Sequence, residues 1–293
     1  MTTRPILGTE ALTAGTATRR GLRGGEYRPV YRNVYLPVQT ELTAATRAEA
    51  AWLWSGRKAI AAGLSAAALY GTRWVDATEP AELYRTNGKP VSGILIHRDT
   101  LLPWEIGSAS GIPATTPART AFDLGRRPGR TLAVIRIDAL AQSTGLRVSD
   151  MQPLLECHPG LRGMVQLRKV LDLVDGGAES PQETRTRLVL NDAGLPRPTT
   201  QIVVARYRID MGWEELKVGV EYDGDQHWKD PAQHARDIDR LADLAALGWR
   251  IIRVSAQILR YRRRVILART CAALAEAGAD WPVIARILES GVQ

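Results

Sequence analysis

The sequence predicts an α/β protein whose two halves differ in kind. Two observations carry this expectation. Hydrophobic residues make up 45% and charged residues 24% of the 293 residues, the composition of a soluble globular chain long enough for two domains. The last third reads as helix, three strands, helix, strand, helix, while the middle third sets short strand-like runs among helical ones. Aromatic residues are only 6%, with Phe122 the single phenylalanine, so the cores must be built from Leu, Ile, Val and Ala.

The first forty residues carry little helix signal but several cations, Arg19, Arg20, Arg23, Arg28 and Arg32. Residues 27–35 are rich in strand formers and lead to Pro37. They read either as the wing of an abbreviated winged-helix unit, with Arg28 and Arg32 along DNA phosphates, or as a basic arm packed on the next domain. A helix is expected over 46–55 and a short strand over 58–62. Ser65 is expected to cap a helical turn that Gly71 closes. Strand-like runs come next, at 82–85 and 93–97. Thr116-Pro117 has the cap-then-proline order of a helix start, and 131–141 continues in helical style. The expected division is 1–42 as winged-helix start or arm, 43–150 as a small α/β domain, and 165–293 as a C-terminal domain with a basic helical tail.

In that last third Ser180, Pro181 and Glu183 have capping-box spacing, and Gly194 ends the helix they open. Strands are expected over 201–205, 207–213, 216–223 and 250–254. The helix over 231–247 places Ile238, Leu241, Leu244 and Leu247 on one face before Gly248 stops it.

Charge and cysteine content exclude several classes. Thirty-nine Lys and Arg against 31 Asp and Glu give +8, which favours an anionic partner, DNA above all. Two cysteines, Cys157 and Cys271, cannot build a disulfide framework and suit a reducing cytoplasm. No secretory signal or membrane span is expected, because the apolar stretch 59–70 is short and broken by Gly63 and Ser65. Cysteines and histidines lack paired zinc-ligand spacing, and no Walker loop or G-x-S-x-G elbow occurs.

The chemistry concentrates in one hairpin. If Glu214-Glu215 is its turn, Trp213 faces Leu216 and Asp210 faces Gly219. Lys217, Gly219, Glu221 and Asp223 then share a face with Asp210, while Val218, Val220 and Tyr222 join Ile209, Met211 and Trp213 on the other. Asp210 lies diagonal to Glu221 and Lys217, about 7–8 Å between α-carbons. Carboxylates converging on the gap at Gly219 repel unless a cation intervenes, and Mg²⁺ (or Mn²⁺) suits such an oxygen site, held by Asp210 and Glu221. Glu183 can add a further carboxylate. A solvated acidic face is the plainer reading; the density of Glu221, Asp223, Asp225 and His227 at one strand end argues against it. His227 can move a proton at neutral pH, or simply close a turn. Arg236 and Arg240 read as an ion-pair network with Asp237, or as phosphate contacts. Arg260, Arg262, Arg263 and Arg264 read as a solvated or phosphate-facing surface.

Ser180 to Glu183, Ile209-Asp210-Met-Gly-Trp213, Val220 to His227, Arg236-Asp237 and Gly248 to Val254 together resemble the DUF559 family of very-short-patch-repair-like endonucleases, in the PD-(D/E)XK superfamily. The resemblance covers about 165–265. It implies a three-layer α/β core with a mixed sheet, a Mg²⁺-dependent endonuclease, and catalytic roles for Asp210, Glu221, Glu183, Asp223 and His227. Asp223 stands where many superfamily members carry lysine; His227, or less directly Lys217, would then orient the attacking water. Upstream, Gly63 to Gly71 and Gly111 to Leu124 resemble the AbiEi antitoxins, which implies DNA binding and a neighbouring toxin as partner. The alternative function is therefore a non-catalytic DNA-binding regulator.

Overall fold

The computed structural model describes residues 3–86, 91–224 and 231–290, and the chain divides into two compact units, Met1–Gly176 and Gly177–Gln293.

The first unit opens with β1 (Ile6–Leu7), α1 (Gly8–Thr13), α2 (Arg19–Arg23) and a hairpin of β2 (Tyr27–Tyr31) and β3 (Val34–Pro37), in the sheet order β1-β3-β2. Thr18 caps α2 by accepting a hydrogen bond from the Gly21 N–H. This segment shares its core with residues 50–94. Tyr31 and Val34 pack with Ala50, Leu53 and Leu83, and the Tyr31 hydroxyl donates to the Gly93 carbonyl at 3.1 Å. Residues 1–42 thus join the same compact unit as the α/β region after them.

That region contains α3 (Ala44–Trp54), β4 (Ile60–Ala61), α4 (Gly63–Leu69), β5 (Ala81–Tyr84), β6 (Ile94–His97), β7 (Ile106–Ala109), β8 (Ile112–Thr115), α5 (Pro117–Arg126), α6 (Arg130–Thr144), α7 (Gln152–Cys157) and α8 (Met164–Leu171). Its mixed sheet runs β6-β5-β4-β8-β7, with β5–β6 and β4–β8 parallel. Thr116 caps α5 as expected from its place before Pro117.

Three expectations change here. Ser65 lies inside α4, where its hydroxyl accepts from the Glu82 N–H at 2.8 Å. The helix start is capped instead by the Glu82 carboxylate, which accepts from the Leu64 N–H at 2.9 Å. Gly63 permits that approach: its φ is +48°, and a Cβ would lie 2.4 Å from Glu82 Oε2. The β7–β8 hairpin went unforeseen because Gly107, Ser108 and Pro113 dilute its pattern; Ser110 and Gly111 turn it with φ of 53° and 77°. Finally, α8 belongs with the first unit, so the C-terminal unit begins near 177 and not at 165. Leu167 is fully buried over Gly125, where a Cβ would meet its Cδ1 at 2.4 Å, and Gln166 Nε2 donates to the Gly125 carbonyl at 2.9 Å.

The second unit comprises α9 (Pro181–Asp192), β9 (Thr199–Val204), β10 (Tyr207–Trp213), β11 (Val218–Asp223), α10 (Pro231–Ala246), β12 (Arg250–Ser255), α11 (Ala256–Tyr261), α12 (Arg263–Glu276) and α13 (Pro282–Ser290). The sheet is mixed, in the order β12-β11-β10-β9, with only β11–β12 parallel. One face packs Met211, Val218, Val220, Ile252 and Val254 with Leu190, Leu259, Ile266 and Leu274 from α9, α11 and α12. The other packs Ile202, Ile209 and Trp249 with Leu244 of α10. Helices therefore cover both faces. The stripe expected on α10 narrows: Leu244 is buried, while Ile238 and Leu247 are 55% and 45% exposed. No described helix is long and apolar enough to cross a membrane.

Candidate active site

The hairpin that carries the acids is not closed by two residues. A 3₁₀ turn, Glu214–Leu216, succeeded by Lys217 at a φ of 50°, joins β10 to β11. The register moves by two as a result: Trp213 pairs with Val218, Gly212 with Gly219 and Met211 with Val220. An even shift keeps the side chains of β11 on the faces expected for them. Continued one step, it sets Asp210 opposite Glu221 and not opposite Gly219. Lys217 leaves the acidic face altogether, and its Nζ donates to the Leu247 carbonyl at 3.1 Å, just past the end of α10.

A second departure shapes the site. Met211 lies in one core and Ile209 in the other, although residues two apart on a strand should share a face. The alternation slips at Asp210. Across the ladder Gln201 has a φ of 54°, and the ladder skips the step between it and Asp210 while the register on either side stays the same. Ile209 thereby turns onto the face of Gly219, where a Cβ would meet its Cγ2 and Ile251 Cδ1, each at 2.8 Å. The gap expected at Gly219 is filled by these two isoleucines. Asp210, freed from strict alternation, accepts the Tyr222 N–H at 2.8 Å with Oδ2, in place of a main-chain rung.

Two carboxylates, Glu183 and Glu221, act on a third, Asp210. Burial first, then the charges of Glu183 and Glu221, push the Asp210 carboxyl up to about 7, against the Tyr222 N–H and the Arg240 charge. Burial likewise raises Glu183, outweighing hydrogen bonds that include the Glu179 N–H at 2.8 Å. Gln201 Nε2 donates to Glu183 Oε2 at 3.2 Å, and the Ser180 hydroxyl caps α9 by accepting from the Glu183 N–H. Arg240, reaching in from α10, donates Nη1 to Glu221 Oε2 at 3.0 Å and Nη2 to Oε1, and also bonds the Arg208 carbonyl at 3.1 Å.

The remaining expected residues lie further from this cluster or bond elsewhere. Asp223, at the end of β11, takes a hydrogen bond from Arg253 Nη2 of β12. His227 lies outside the described residues. Arg236 is exposed on α10, whereas Arg240 pairs with Glu221 and not with its helix neighbours alone. Arg28 is only half-exposed, its Nη2 donating to the Thr40 carbonyl at 2.6 Å; Arg32 is exposed at the β2–β3 turn. Gln201 and Arg253 escaped sequence reasoning. For Arg253 a faint signal existed, a cation among Ile251, Ile252 and Val254 in the interior of the strand.

Among the described residues no three His, Cys, Asp or Glu side chains are arranged as a ready metal cluster. The donor chemistry nevertheless fits a hard cation, because Asp210, Glu183 and Glu221 are buried or half-buried carboxylate donors and the Arg240 guanidinium is bonded to Glu221.

Residues 183–274, the stretch holding Glu183, Asp210, Glu221, Arg240 and Arg253, match the family model described as REase_MTES_1575, which is of the restriction-endonuclease-like, PD-(D/E)XK type. Two proteins of Mycobacterium tuberculosis, the uncharacterized proteins MT2308 (strain CDC 1551 / Oshkosh) and Rv2248 (strain ATCC 25618 / H37Rv), are each 31% identical over 256 residues, covering 84% of this chain and 91% of theirs. No solved structure gives a significant match. With that coverage, the chain belongs to the family of these mycobacterial proteins, and its C-terminal region to the restriction-endonuclease-like superfamily.

Proposed function

We propose that this protein is a Mg²⁺- or Mn²⁺-dependent endonuclease of the very-short-patch-repair-like, DUF559 type, acting on DNA in the cytoplasm. The observation that supports the reading is the crowding of Glu183 and Glu221 about Asp210, at the one step where the β9–β10 ladder is interrupted between Gln201 and Asp210. Asp210 and Glu221 would hold the ion, once Arg240 yields at least one Glu221 oxygen. When bound, the ion supplies charge neutralisation on the phosphodiester and a more acidic water. Glu183, with its carboxyl raised by burial and no guanidinium clamped on it as Glu221 has, is suited to take the proton of the attacking water. Arg240 and the exposed Arg236 are suited to the scissile and flanking phosphates. In the first unit, α2 with Arg19, Arg20 and Arg23, and the hairpin tip with Arg32, form an abbreviated winged-helix surface of the AbiEi-like kind that would position the duplex.

The test is cleavage of supercoiled plasmid with Mg²⁺ or Mn²⁺, beside Asp210→Ala and Glu221→Ala. Loss in both variants is expected, together with calorimetric metal uptake that both variants abolish. One observation favours a second reading, a DNA-binding regulator acting with a neighbouring toxin: Arg240 already neutralises Glu221, and Arg253 already neutralises Asp223. Promoter binding untouched by the two alanine substitutions, with no cleavage under either metal, would establish the regulator instead.

A further inference from the structure

The first unit carries its own concentration of ionic side chains where the parallel strands β5 and β6 end. Its floor is buried. Arg119, fully buried, donates to Glu105 Oε2 at 2.7 Å, to Asp123 Oδ2 at 3.1 Å and to the Tyr84 hydroxyl at 2.8 Å, and Tyr84 donates to Asp123 at 3.0 Å. Beside it the Glu82 carboxylate holds both Arg127 and His97, the latter at 2.8 Å. Arg126 is fixed in turn, donating to Asp123 Oδ1 at 2.7 Å and to the Arg162 carbonyl at 3.1 Å. These ion pairs hold the Arg126 and Arg127 guanidiniums in place at the end of α5.

Two adjoining clefts of about 500 and 610 Å³ open above this floor and share Tyr84 and Asp99. Lys58, Arg85 and Arg98 line one, and Arg126, Arg127 and Arg162 line the other, against the carboxylates of Asp99 and Asp123. The first cleft adds an apolar wall of Ile60, Leu101 and Ile106. The carboxyl ends of parallel strands are where α/β sheets commonly take ligands. A duplex is read by elements that protrude into its grooves, whereas an unpaired strand lies in a cationic recess with its bases on apolar or aromatic side chains. Cations spread along both clefts exceed what a lone phosphate would use.

We infer that these joined clefts bind a short stretch of single-stranded nucleic acid, with phosphates along the Lys58, Arg98 and Arg162 side and bases against Ile60, Leu101 and Ile106. This binding needs no metal and does not rest on the nuclease reading. It is tested on the full chain in EDTA, by fluorescence anisotropy of labelled dT₁₂ across a sodium chloride series. The substitutions Lys58→Ala, Arg98→Ala and Arg162→Ala, made together at exposed positions, should weaken binding at least about tenfold and flatten the slope of log K against log salt by about 2, given about 0.7 per strand phosphate contact. Arg168→Ala with Lys169→Ala, exposed on α8 outside both clefts, should stay within about twofold of the parent. Thermal melting shows that each variant folds. An unchanged triple variant, an equal loss in the α8 control, blunt-duplex binding weakened by the triple variant as much as dT₁₂ binding, effective competition by a mononucleotide, or no dT₁₂ binding at all would each overturn the inference. Retained dT₁₂ binding without plasmid cleavage would instead remove the nuclease reading alone.

Discussion

Arg240 grips both carboxylate oxygens of Glu221, Nη1 on Oε2 at 3.0 Å and Nη2 on Oε1, across the gap between α10 and β11. Glu221 is buried to 7% exposure, so the guanidinium is its main source of compensation. Removing one partner of such a pair strands a charge; removing both does not. Arg240→Ala should therefore destabilise the chain by about 3–5 kcal/mol, and adding Glu221→Gln should restore part of that loss. Arg240→Lys keeps the charge without the fork and should fall between. Urea melts of the four proteins decide it; equal midpoints for Arg240→Ala and the double variant would show that the pair is not coupled.

Asp210 predicts a pH signature in the absence of metal. Its folded value, about 7, lies above that of an unfolded aspartate, so protonation favours the native state. The stabilisation is complete below about pH 4 and disappears as pH rises through the folded value. Asp210→Asn, which cannot ionise, should stabilise the apo chain at pH 8 by about 1–3 kcal/mol and change little at pH 4. The same substitution should abolish cleavage, a gain in stability bought at the site's expense. Denaturant midpoints at the two pH values are the measurement, and a shift independent of pH would refute the assignment.

Glu82 predicts the opposite slope. Burial pulls its carboxyl upward, but the hydrogen bonds from His97 and Arg127, the Arg127 charge and the Leu64 N–H together bring it down to about 2. A depressed carboxyl contributes above its unfolded value and loses that contribution as pH falls toward the folded one. Glu82→Gln should cost roughly 2–3 kcal/mol at pH 7 and clearly less at pH 3. Since Glu82 also caps α4, part of the cost will persist in acid, and circular dichroism melts at both pH values separate the two contributions.

Local signals made much of the second unit legible. Ser180, Pro181, Gly194 and Gly248 mark helix ends through their own backbone chemistry, and β10 spans the residues its alternation suggested. Asp210 and Glu221 share one face of the hairpin on alternation alone, while Glu183 enters through the helix before the sheet and the family resemblance. What stayed hidden depends on residues far apart in sequence. The 3₁₀ turn at Glu214–Leu216 moved the register by two, the break in alternation at Asp210 sends Ile209 and Met211 to opposite cores, and Arg240 had Asp237 within its own helix as a cheaper partner yet took Glu221. Glu82 capping a helix from a neighbouring strand belongs with these. Each is chosen by packing between elements, and periodicity within one element carries no record of it.

The slip itself can be tested through Gly219. Its hydrogen faces Ile209 and Ile251, and a methyl group there would sit 2.8 Å from a carbon of each. The Ile209 contact is made by its β-branched Cγ2, which is stiff at χ1, and the side chain is fully buried, so Ile209 must shift to admit the methyl. Gly219→Ala should destabilise the protein by about 1–3 kcal/mol. It should also lower cleavage more than the stability loss explains, because pushing Ile209 back undoes the backbone turn that frees Asp210 to reach the Tyr222 N–H. Ile209→Ala in the same chain makes room for the methyl and should recover cleavage before it recovers stability, since it opens a cavity elsewhere in the contact. If Gly219→Ala melts and cleaves like the parent, Ile209 does not occupy that face, and the geometry assigned to Asp210 falls with it.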